Sequence, residues 1–274
     1  MTLATEAPHA DFRLGNHIRN IGIAGLGAIG IAVGLSDMLA RAPANASNIG
    51  PPLLAPSQQF LFGTDILGRD MASETLHALA VTATSAGFGA IVTVLCGGLA
   101  GFLVARMPFV LGALVRQAAG TLCAVPALFL GILFIGLADR NLAPLAAGLA
   151  ATPLAFARSF DRARNLNRSR HAEVARSTGI SAAALIRRDL VYEFRDRLVI
   201  NLARSLADVA LILSTVSFLG FGAIPPHRDL GLMIGASRET FFEAWWTAAF
   251  PALALIVLIF CARLVSTSGE DRTS

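Results

Sequence analysis

Between His77 and Arg106 the chain runs for 28 residues without a charged side chain. A helix of that length, rising about 1.5 Å per residue, can cross a hydrocarbon core roughly 30 Å thick, where backbone groups have no water to bond to. Similar runs recur. One lies between Arg19 and Asp37, one of 22 residues between Arg116 and Asp139, one of 17 between Arg140 and Arg158, and one of 19 between Glu243 and Arg263. A further stretch from Leu198 to Phe221 has the same character, interrupted by Arg204 and Asp208. The pattern predicts an all-α membrane protein of about six transmembrane helices. Composition agrees: 55% hydrophobic side chains, 15% charged and a mean hydropathy of +0.64 exclude an ordinary water-soluble enzyme.

Positive residues near span ends tend to stay cytoplasmic, so the arginines orient the chain. With both termini inside, sixteen of the 22 arginines are cytoplasmic, five (Arg41, Arg69, Arg140, Arg228, Arg238) are outside, and Arg204 lies within a span. Ten crowd residues 158–197, which makes this the largest cytoplasmic feature. The expected organisation is a cytoplasmic tail (1–17), a first transmembrane helix (18–40), an outer loop (41–77) and a five-helix core (78–266). That core carries a cytoplasmic loop at 159–196 and an outer loop at 220–243, and a second cytoplasmic tail follows at 267–274. The surplus charge, with a pI near 9.7, is a topology signal and not a nucleic-acid one. A cleavable signal reading of the N-terminus, ending near Ala42, Ala44 and Ala46, would leave the other spans with the wrong polarity, so an uncleaved anchor is expected.

The sequence contains no lysine, which removes phosphate-loop, kinase-type and Schiff-base chemistry from this chain. Cys96, Cys123 and Cys261 sit in apolar runs without C-x-x-C spacing and are expected to be buried thiols. The five histidines form no i, i+4 pair, so no metal site is indicated, although His77 and His227 share the outer side. Gly25, Gly27 and Gly30 match a dinucleotide-binding spacing, yet they lie inside an apolar run. Close helix packing, with Gly30 and Gly34 as a small-xxx-small pair, is the expectation there. Pro126, Pro153 and Pro251 fall within spans three, four and six, where each removes a backbone donor and is expected to kink its helix. No serine, histidine and carboxylate set marks a catalytic site, and no catalytic residue is assigned.

Longer motifs narrow the reading. Residues 62–73 read FGTDILGRDMAS, 124–132 AVPALFLGI, 217–226 SFLGFGAIPP, 244–255 AWWTAAFPALAL, and 173–179 EVARSTG. Together these resemble the inner-membrane permease subunits of ATP-binding-cassette importers, in the dipeptide, oligopeptide and nickel branch, from Phe62 onward. The first segment is similar to that branch's G-T-D-x-x-G-R-D-x-x-S signature, through Gly63, Thr64, Asp65, Gly68, Arg69 and Asp70. With Pro225 and Pro226 of S-F-L-G-x-G-x-x-P-P, it is expected to lie in periplasmic loops where a solute-binding protein docks.

The segment at Glu173, Val174, Ala175 and Gly179 resembles the family's coupling motif, E-A-A-x-x-x-G, with Ile180, Leu185 and Ile186 as an apolar docking face. Small residues admit another protein's surface, Glu173 offers a carboxylate, and Gly179 permits a sharp turn. The resemblance implies a type I importer permease whose coupling helix rests on a cytoplasmic ATPase. It also implies a second related permease subunit, two ATPase subunits that bind ATP–Mg, a periplasmic or lipid-anchored solute-binding protein, and no cofactor in this chain. Val174 replaces the alanine at the motif's second position, Tyr192 a proline, Glu74 a frequent arginine, Leu213 a frequently acidic residue and Leu230 a tryptophan.

Arg204 and Asp208 are four residues apart on one helix face and can pair, and charges at that depth must face protein or water. They are candidates for the translocation path. The expected function is inward movement of a small peptide-like solute by alternating access. The alternatives are a nickel or opine-type metallophore importer and, from another class, a passive channel or membrane scaffold.

Overall fold

The computed structural model describes residues 7–137, 139–168, 177–178, 181–191, 195, 197–222 and 227–267. Every regular element among them is helical. In chain order these are α1 (Ala7–Gly34), α2 (Ser36–Leu39), α3 (Met71–Val104), α4 (Phe109–Ala124), α5 (Ala127–Leu137), α6 (Ala143–Asn167), α7 (Ala182–Val191), α8 (Leu198–Phe218), α9 (Leu230–Ala236) and α10 (Trp246–Thr267). Four are long and apolar enough to span a membrane: residues 17–34 of α1, then α3, α8 and α10. α4 and α5 make a fifth span only if taken together, because they meet at 90°.

That break corrects the expectation of one kinked third span. Val125 is extended (φ −76°, ψ 122°), as steric pressure from the following Pro126 ring favours, so α4 ends and α5 starts afresh. Pro153 and Pro251 lie inside unbroken helices. The fourth expected span corresponds to α6, which is not among the helices apolar enough to cross a membrane, because it continues beyond its uncharged part through Arg158, Asp161, Arg162 and Arg164.

α6 is the central helix and packs on α3, α4, α5 and α8. Its buried face is Ala143, Ala146, Ala147, Ala150 and Ala151, set against Ala86 of α3 and Val209, Ala210, Leu213 and Val216 of α8. Between helices in lipid, close van der Waals contact replaces hydrophobic drive, and small residues provide it. Gly89 of α3 and Gly148 of α6 illustrate the consequence: a Cβ on Gly148 would stand 2.6 Å from the Gly89 carbonyl oxygen. Nearby, the Thr93 hydroxyl donates to the Gly148 carbonyl at 2.8 Å, and a π-helical turn at Val94–Gly98 shifts the register of α3.

Two expectations about small side chains change here. Cys261 is buried, but Cys96 and Cys123 lie on the outer surface, because an apolar run in a spanning helix need not face the protein core. In α1, Gly22 and Gly25 press on α10 at Val265 and Cys261, whereas Gly27, Gly30 and Gly34 meet nothing within 4 Å. The helical context removes the dinucleotide reading, and the close packing falls more than two turns earlier than the small-xxx-small spacing indicated.

Candidate functional site

The signature loop folds as a staple over the start of α3. Asp70 caps that helix, its carboxylate accepting from the Ser73 backbone N–H at 3.1 Å and from the Ser73 hydroxyl at 2.5 Å. The Ser73 oxygen in turn accepts from the backbone of Arg41 (3.0 Å) and Ala42 (3.2 Å), tying the chain after α2 to α3. Asp65 closes a turn by accepting from the N–H groups of Leu67 (2.8 Å) and Arg69 (2.9 Å), with Gly68 at φ +64°. Thr64, fully buried, donates to the Pro51 carbonyl at 2.6 Å and accepts from Leu54 N–H at 2.8 Å. Its own carbonyl receives the Trp246 indole N–H at 3.1 Å, which links the staple to α10. The signature's residue types are thus those of a rigid loop.

A charge cluster covers this staple. Glu74, buried, lies 3.5 Å from Arg228 and 3.8 Å from Arg69, and Arg228 also reaches Asp65 at 3.7 Å. A carboxylate at position 74 therefore joins two arginines from different loops. Opposite it, Asp229 caps α9 through Leu232 N–H (2.8 Å) and accepts from the Ser217 hydroxyl at 2.6 Å, fixing the end of α8. Leu230 is fully buried and donates its N–H to the Thr82 hydroxyl at 3.0 Å. Pro225 and Pro226 lie outside the described residues. His77 lies 3.7 Å from Asp37, while His227 is exposed.

At the opposite end, Asp208 does not pair with Arg204 as spacing suggested. Its carboxylate binds Arg158 of α6 at 3.0 Å and Arg263 of α10 at 2.6 Å, while Arg204 donates to the Ser266 carbonyl at 3.2 Å. Residues on neighbouring helices lie closer than the next turn of the same helix. Asp208 is ten residues from the start of α8 and Arg158 nine from the end of antiparallel α6, so the two occupy one level. That count of depth from the span ends was the signal available in the sequence. A small cleft of about 20 Å³, lined by Arg158, Arg204, Asn201, Ser159 and Ser205, adjoins this node beside the π-helical turn of α3.

Of the coupling segment, Glu173, Val174, Ala175, Gly179 and Ile180 lie outside the described residues, as does Tyr192. Leu185 of α7 is buried and Ile186 exposed, so the two do not share one open face. Asp189 of the same helix is buried and holds Arg106 at 3.1 Å, which anchors α7 to the end of α3.

A bundle of apolar helices, stapled at one end and rich in arginine at the other, is the architecture of a multi-pass membrane protein. No family model matches the sequence. The chain is nevertheless homologous over most of its length to permease subunits of peptide transport systems. It is 25% identical over 253 residues to a putative peptide transport system permease of Brucella suis, covering 92% of this chain and 85% of the relative. A probable D,D-dipeptide transport system permease of Escherichia coli K12 is 26% identical over 228 residues, covering 81% and 75%. The peptide transport system permease SapC of Escherichia coli O6:H1 is 27% identical over 225 residues, covering 79% and 76%.

Proposed function

We propose that this chain is the transmembrane permease subunit of an ATP-driven importer and moves a small peptide-like solute inward by alternating access. The observation that carries this reading is the homology, which extends over 79–92% of the chain to permeases of peptide transport systems. Those names speak of peptides, so the nickel and metallophore alternative is not favoured. In this reading the chain sits in a bacterial inner membrane with both termini cytoplasmic. It works with a second permease, two ATPases that bind ATP–Mg, and a solute-binding protein docked on the stapled loops. With no lysine in the chain, the energy comes from the partner ATPases. Glu173 to Ile180, with the exposed Ile186, form the coupling surface, and Arg204 and Asp208 line the path near its inner end.

The test uses the co-expressed full assembly in proteoliposomes, with solute identified as whatever the purified binding protein retains. The paired change Glu173→Ala and Gly179→Ala should cut ATP-dependent uptake at least tenfold while leaving the subunits co-purifying. Uptake that persists without ATP, or that ignores the paired change, would favour the passive channel or scaffold instead.

A further inference from the structure

At the arginine-rich end, where α3 turns into α4, a cleft of about 330 Å³ opens between Arg106, Met107, Arg164, Arg168, Leu185 and Ile186. Its charges are unevenly matched. Arg106 is paired with Asp189, a carboxylate that Arg188 also binds at 3.2 Å. Asp161, the one acidic residue of α6, is taken by Arg116 through two hydrogen bonds of 3.0 and 2.8 Å. Arg164 therefore has no carboxylate partner among the described residues. It gives one N–H to the Ala105 carbonyl at 3.3 Å and lies over the rings of Phe109 (5.0 Å) and Phe160 (5.8 Å). Arg168, one turn further, is exposed, and its guanidinium makes no hydrogen bond or ion pair among the described residues.

Arg164 borders the first turn of α4, where Phe109 and Val110 are 65% and 79% exposed, and Leu111 and Leu114 further along the helix are also exposed. Arg164 stacked on Phe109 joins the charged half to the apolar half. A soluble anion would satisfy the arginines and leave the apolar face bare. A ligand with a phosphate at one end and acyl chains at the other satisfies both, at the depth where spans meet headgroups. We infer that this cleft is a binding site for an anionic glycerophospholipid, the phosphate held by Arg164 and Arg168 and the acyl chains lying along α4. The inference rests on the chain's spanning a membrane and not on the transport reading.

The test is native mass spectrometry of the full-length chain, purified with its partner subunits in detergent and offered phosphatidylglycerol or phosphatidylcholine with identical acyl chains. Wild type should retain phosphatidylglycerol at least tenfold better. The double variant Arg164→Gln, Arg168→Gln should lose roughly 30-fold in that affinity, from about fivefold per arginine. Arg116→Gln, which removes one positive charge at the neighbouring ion pair as Arg168→Gln does in the cleft, should lose little. Arg168→Gln alone, at an exposed position, keeps the test open if the double variant misfolds and should lose several-fold. Equal retention of both lipids, an equal loss in Arg116→Gln, displacement of phosphatidylglycerol by millimolar inorganic phosphate, or retention only when the partner subunits are stripped away would each overturn the site. The last two results would identify a free-anion pocket and a protein-covered surface respectively.

Discussion

Gly68 holds the tightest turn of the signature loop at φ +64°, and a Cβ there would collide with the carbonyl oxygen of Gly50. Gly27 in α1 has a helical backbone and open space around it. Gly68→Ala should therefore destabilise the protein by about 2 to 3 kcal/mol, from left-handed strain plus the clash, whereas Gly27→Ala should be neutral or slightly stabilising. Thermal unfolding in detergent would separate them, and equal midpoints would refute this account of the signature. The sequence displayed the signature's residues but not their work: nothing in the string links Thr64 to Trp246, 182 positions away. Local spacing was also a poor guide to ion pairs. It favoured Arg204 with Asp208, yet partners 50 and 55 residues distant bind the carboxylate. Glu74 looked like a departure from a family pattern, and only the approach of Arg69 and Arg228 shows what its carboxylate does.

At the scale of elements, uncharged length was the legible quantity. It located α1, α3 and α10, because the cost of placing charge in hydrocarbon bounds a span sharply, while α8 showed through its apolar character around Arg204 and Asp208. It could not show where a run breaks, since a 90° turn between two apolar helices leaves hydropathy unchanged. The short helices α2 and α9 have no such run to mark them, and the mixed character of α6 hid its central place. The break between α4 and α5 is attributable to Pro126 and can be tested as such. Spin labels at Leu111 and Leu137, in a cysteine-free background, should stand about 28 Å apart across a right angle and about 39 Å apart along a continuous helix. Pro126→Ala restores a backbone donor and frees Val125 to become helical, so the distance distribution should move toward the longer value. An unmoved distribution would assign the bend to packing of α5 on α6 and α8.

The whole molecule is polarised along its long axis, and this polarity makes a prediction about sidedness. Among the described residues, those at the stapled end comprise five arginines and eight carboxylates, and those at the other end thirteen arginines and three carboxylates, with Arg204 and Asp208 between. Arginine retention on the cytoplasmic side would set the orientation, and the membrane potential, worth about 2.3 kcal/mol per charge per 100 mV, opposes the outward passage of net positive charge. The stapled end should therefore face outward. Gln58 and Asn165 are exposed at the two ends and suit cysteine substitution in a cysteine-free background. A membrane-impermeant maleimide added to intact cells should modify Gln58→Cys within minutes and leave Asn165→Cys untouched until the inner membrane is opened. The reverse pattern would place the arginine-rich end outside, away from any cytoplasmic ATPase, and would remove the coupling reading while leaving the helical architecture intact. Modification of both sites in intact cells would instead point to a reagent-permeable membrane, which a buried cytoplasmic reporter protein labelled in parallel would reveal.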